Sequence, residues 1–157
     1  MSIGKKEFMI DAIELSIKNV KTGGGPFGAV IVKDGKIIAR GANSVTKLND
    51  PTAHAEVNAI RKAAETLGTF DLSGCEIYTS CEPCPMCLGA IYWARLDKIY
   101  YANTKSDAKN IGFDDSFIYK ELEKPLSERK VKAIQMEREK ALEAFKLWQE
   151  TEDKIEY

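Results

Sequence analysis

The sequence predicts an α/β fold: a three-layer α/β/α sandwich around a mixed five-stranded sheet. Three observations carry that expectation. Segments with helical apolar spacing alternate with short runs rich in β-branched residues. The Asp34-Gly35 pair between the first two such runs is the signature of a tight antiparallel hairpin. Later runs are separated by helix-length segments, the connection that parallel strands require.

From Lys5 to about Thr22, Met9, Ile13, Ile17 and Val20 recur at spacings that lay a stripe along one helical face. Gly23, Gly24, Gly25 and Pro26 stop this helix. Phe27 to Lys33 then reads as a strand, and Lys36 to about Gly41 as its hairpin partner. A polar loop from Asn43 to Pro51 leads into a helix from Ala53 to Leu67, which Gly68 closes. Cys75 to Thr79 is the third strand. Pro85 opens a helix that runs to about Arg95, since proline suits the first helical turn. Lys98 to Ala102 is the fourth strand, and a short helix is expected near Phe117 to Leu122. Val131 to Met136 reads as the fifth strand. In the final helix, from about Glu137 to Glu152, Leu142, Phe145 and Trp148 keep helical spacing.

A chain of 157 residues without internal repeats is expected to be one domain, 1–157. The 23 basic and 24 acidic residues leave a net charge of −1, which argues against a general nucleic-acid-binding surface. No apolar run approaches the roughly 18 residues of a membrane span, and Met1 to Asp11 mixes charges with apolar residues, unlike a signal peptide. The expectation is a soluble cytoplasmic protein with no membrane partner. Four cysteines are too few for a disulfide scaffold, and Cys81, Cys84 and Cys87 are bunched in a way that suggests metal chemistry. Cys75, inside an apolar run, reads as a buried structural thiol.

Two motifs carry the chemistry: His54-Ala55-Glu56, and Pro83-Cys84-Pro85-Met86-Cys87, each at the start of a helix. Cys84 and Cys87 are three apart, so both can grip one ion from the first helical turn, where the helix dipole favours thiolates. His54 and Glu56 are two apart and can address one site only just beyond the helix end. His54, Cys84 and Cys87 would hold one Zn2+ per chain and leave its fourth position to water, the mark of a catalytic site. Glu56, outside the ligand set, would serve as general acid/base. A closed structural zinc site completed by Cys81 would have no use for Glu56.

Together these residues resemble the cytidine deaminase superfamily, zinc hydrolases that remove exocyclic amines from nucleobases. Within it, Gly25 to Val32, Asn49 to Glu56, Thr79 to Trp93, Gly112 to Tyr119 and the closing Glu156-Tyr157 are similar to the bacterial guanine deaminase family. The likeness weakens from about Leu126 to Leu147. It implies attack at C2 of guanine, giving xanthine and ammonia in purine breakdown. It further implies that Asn43 hydrogen-bonds the base, and that Asp115 contacts it and assists proton transfer, with Asp114 the competing carboxylate. Phe27 and Trp93 would line the pocket. The family forms homodimers in which the C-terminal segment, here about 137–157, covers the partner's site, so that Tyr157 would supply a ring and a hydroxyl near the base. Two alternatives stand beside this reading: a tRNA adenosine deaminase, and a noncatalytic zinc-stabilised interaction module. Against the first, the basic run Lys124 to Lys132 is broken by Glu128.

Overall fold

The computed structural model describes residues 4–157; residues 1–3, where the signal-peptide reading begins, lie outside them. Contacts divide the chain into two compact units, one ending at Asp115 and the other spanning Ser116–Tyr157.

The first unit is a sheet with helices on both faces. The hairpin of β1 (Gly28–Lys33) and β2 (Lys36–Ala42) turns at Asp34 and Gly35, both with positive φ, as a two-residue turn matched to strand twist demands. β3 (Cys75–Cys81) pairs antiparallel with β1 and parallel with β4 (Lys98–Asn103), giving the order β2-β1-β3-β4. Side chains alternate along β1. Ala29 and Ile31 face α3 (Ala55–Leu67) and α4 (Pro85–Trp93) in one core cluster, where they meet Ala59, Ala63, Ile77 and Ile91. Val30 and Val32 join Phe8 and Ala12 of α1 (Lys6–Lys21) and Tyr78 in the other. Two glycines let the helices approach: a Cβ at Gly28 would collide with the Ala12 carbonyl, and one at Gly41 with the Ala55 carbonyl. Gly68 closes α3 in the left-handed conformation.

Three expectations need correction. The sheet has four strands, not five: residues 131–136 pair with no strand among the described residues, and Val131 and Ile134 are more than 80% exposed. Their apolar pattern suits a strand, but a strand needs a ladder partner. In α1 the buried stripe is Phe8, Ala12, Ser16 and Asn19, while Ile17 and Val20 are half exposed. The helix lies too close to the sheet for bulky β-branched residues beneath it, and small side chains take the contact. The polar loop and the segment after β4 also hold short helices, α2 (Val45–Leu48) and α5 (Lys105–Asn110).

The second unit contains α6 (Ser116–Glu123), a 3-10 turn at Leu126–Glu128 and α7 (Arg138–Glu150). Arg129 donates to the carbonyls of Leu122 and Lys124, and the Lys130 amide donates to Glu121, which ties the turn to α6. None of its residues is buried. No helix among the described residues is long and apolar enough to cross a membrane.

Candidate active site

The sheet topology gathers the site at one end. Because β1 runs antiparallel to β2 and β3, its start lies beside the ends of both, and β4 ends in register with Cys81. Phe27, Asn43 and the Cys81–Cys84 segment thus emerge together. The Ser80 hydroxyl accepts from the Gly28 amide, and the Asn43 amide donates to the Phe27 carbonyl.

His54 is the N-cap of α3 and Cys84 the N-cap of α4, with Pro85 following in the first turn. Neither makes a side-chain capping bond, because both side chains turn toward a common point. His54 Nδ1 lies 3.5 Å from the sulfurs of both Cys84 and Cys87, and the three donor atoms fall within 4.8 Å of one another. Asn58, one turn into α3, fixes the approach to His54: its amide donates to the carbonyls of Ala42 and Ala53 and to the Ser44 hydroxyl.

The electrostatics distinguish the thiols. A hydrogen bond from Cys87, then His54, pull the Cys84 thiol down to about 4, while the same bond and burial push Cys87 up. His54 is raised by its hydrogen bond to Cys84. Two sulfurs and one imidazole nitrogen sharing protons at this range form the donor set that zinc takes, so the residues fit the ion. Cys81 differs: its thiol donates to the Thr104 carbonyl, and burial together with nearby carboxylates pushes it up to about 11. Cys75 is fully buried in the core, which raises its thiol.

Glu56, in the first turn of α3, is 6% exposed; burial raises its carboxyl despite a hydrogen bond with Cys87. Asp115 is partly buried, and burial followed by the Cys84 charge raise it. Asp114 instead faces Lys109 at 3.9 Å. Asn43 is buried, with Oδ1 accepting from the Val45 amide. Phe27 packs edge-on against Phe113, ring centroids 5.0 Å apart, a neighbour that sequence reasoning did not single out. The structure does not bring Trp93 to this cluster: it ends α4, roughly 13 Å along the axis from Cys84, and is 69% exposed. Tyr157 lies in the second unit and is exposed.

Residues 3–103 match the model of the cytidine and deoxycytidylate deaminase zinc-binding region. The chain is 56% identical to guanine deaminase of Bacillus subtilis over 96% of its own length and 97% of the relative's. It superposes on an X-ray structure of guanine deaminase from Bacillus subtilis with a TM-score of 0.95, covering 99% of both chains at 54% identity. A tRNA-specific adenosine deaminase of Aquifex aeolicus is 43% identical, over 64% of this chain and 66% of that one. The likeness to the first relative continues through the second unit, beyond the zinc-binding region. On the match of that region and on this near-full-length identity, the chain belongs to the cytidine and deoxycytidylate deaminase family of zinc-binding proteins.

Proposed function

We propose that this chain is a guanine deaminase, which hydrolyses the exocyclic amine at C2 of guanine to give xanthine and ammonia. The observation that carries this reading is the 56% identity to a guanine deaminase along 96% of the chain, where the tRNA-specific adenosine deaminase of Aquifex aeolicus matches 64% and the chloroplastic tRNA(adenine(34)) deaminase of Arabidopsis thaliana 71%.

His54, Cys84 and Cys87 would hold one zinc ion. Zinc bound there supplies Lewis acidity, which lowers the pKa of a water and makes it nucleophilic near neutral pH. Glu56 takes a proton from the attacking water and returns protons to the purine ring and the departing amine. Its burial suits that duty, because desolvation raises the carboxyl and makes the carboxylate a stronger base toward the attacking water than an exposed one. Asn43 has its Oδ1 engaged with Val45, which leaves Nδ2 to donate to an acceptor on the base. Phe27 offers a ring face. Asp115 assists proton transfer in preference to Asp114, since Asp115 senses the Cys84 charge and Asp114 is paired with Lys109.

Tyr157 and the segment 137–157 complete the site by covering it, in a homodimer whose C-terminal segments are exchanged. The absence of any buried residue between Ser116 and Tyr157 supports a covering partner for that segment. The protein acts in the cytoplasm, in purine breakdown, where a reducing compartment keeps the thiolate ligands intact. It needs no nucleic acid.

The test is ammonia release from guanine, adenine, cytosine, cytidine, guanosine and a tRNA anticodon stem-loop. Guanine is expected to react fastest. Faster release from the stem-loop replaces this reading with tRNA adenosine deamination, and one bound zinc without ammonia from any substrate revives the noncatalytic module.

A further inference from the structure

Asn19 is a polar residue on the buried stripe of α1, 6% exposed and outside the metal-binding cluster. Its Nδ2 donates to two carbonyls at 2.7 Å each, those of Gly25 and Asn43. Its Oδ1 accepts from Lys47 Nζ at 3.4 Å, and the same ammonium reaches the Thr22 hydroxyl. The cation fixes which end of the amide donates. Asn43 is held from the other side as well, by its own amide on the Phe27 carbonyl, so both of its main-chain polar groups are tied. Gly25 packs against the Asn43 side chain: a Cβ there would come within 3.1 Å of its Cγ and Oδ1. Gly24 packs against the Asn19 amide in the same way.

We infer that Asn19 is a positioning residue for base recognition: it clamps the Gly25 turn and the Asn43 backbone together, and so sets the direction in which the Asn43 amide meets the purine. The inference rests on the reading of Asn43 as a base-binding residue. Physical chemistry makes a clamp of this kind effective. A buried amide with both hydrogens donated has one orientation, whereas the glycine run it holds has unusual conformational freedom. Losing the clamp leaves the buried Asn43 carbonyl without its donor and the Gly25 carbonyl with the Phe27 amide alone, and lets the turn drift. Since the Asn43 contact would be made to the base in the ground state and the transition state alike, its misdirection weakens binding more than chemistry.

The experiment is steady-state kinetics on guanine for the zinc-loaded full-length protein carrying Asn19→Ala, Asn43→Ala, both together, and Gly25→Ala. Gly25 has no positive φ, so its alanine variant presses on the Asn43 amide without backbone strain and gives a second reading if Asn19→Ala folds poorly. Asn19→Ala and Gly25→Ala are each expected to raise KM about 3- to 10-fold, the scale of one hydrogen bond, with kcat within about twofold and zinc content unchanged. The double variant should match Asn43→Ala alone, because Asn19 acts through that residue. Multiplying effects in the double variant, or an unchanged KM in both Asn19→Ala and Gly25→Ala, overturns the positioning role while leaving Asn43 in place. An unchanged KM in Asn43→Ala overturns the base-binding reading and this inference with it.

Discussion

The gathering of His54, Cys84 and Cys87 beside the first turn that carries Glu56 was legible in the sequence because the motif is local: two cysteines from the start of one helix, and a histidine and a carboxylate from the start of another. Asn19 and Asn58 were not. Each is an ordinary helix asparagine until the fold brings it carbonyls 24 and 16 positions away. Replacing Glu56 with Gln is expected to preserve bound zinc and lower guanine turnover by about 10²- to 10⁴-fold, the usual cost of losing a general acid/base. Metal analysis beside the ammonia assay checks both halves. The cysteines differ as sharply. Cys84→Ser should abolish stoichiometric zinc, because the hydroxyl is a far poorer ligand than a thiolate, while Cys81→Ser should retain it, since that thiol is occupied with the Thr104 carbonyl.

Elements were read best where a backbone rule fixes them and worst where packing distance decides. The Asp34-Gly35 turn and the left-handed Gly68 cap follow from residue type alone. The face of α1 does not: bulk suggested Ile17 and Val20, but the sheet accepts Ala12 and Ser16. At α5 the rule is again local, since Thr104 and Asp107 form a capping box at its start. The close approach of α1 to β1 makes Gly28 its weakest point. Gly28→Ala would drive a methyl into the Ala12 carbonyl and Leu15, and is expected to destabilise the protein by about 1–3 kcal/mol. A lowered denaturation midpoint at unchanged slope checks it.

Across the whole molecule, one end of the chain carries a core and the other carries none. Fixing a residue's backbone costs roughly 1–2 kcal/mol, and the segment from Ser116 onward has no buried side chain to offset it. No sequence pattern announced that, because Leu142, Phe145 and Trp148 keep a helical stripe whether or not anything covers them. Deleting Ile155 to Tyr157 is expected to lower guanine kcat/KM about 5- to 150-fold and leave zinc content and melting temperature nearly intact; an unchanged rate would mean that these residues do not close the pocket. The two helices that lack side-chain caps, α3 and α4, have a different consequence. Their caps are His54 and Cys84, two of the residues that would hold zinc, so a single bound ion would staple both helix starts, and the chemical potential of zinc in the surroundings would become a term in folding. Above the dissociation constant, each tenfold rise in free zinc should add about 1.4 kcal/mol of stability, and a chelator should lower the melting temperature by several degrees before it unfolds anything. Melting curves recorded in zinc buffers would trace that dependence, and a flat response would show that the two helix starts hold together without the ion.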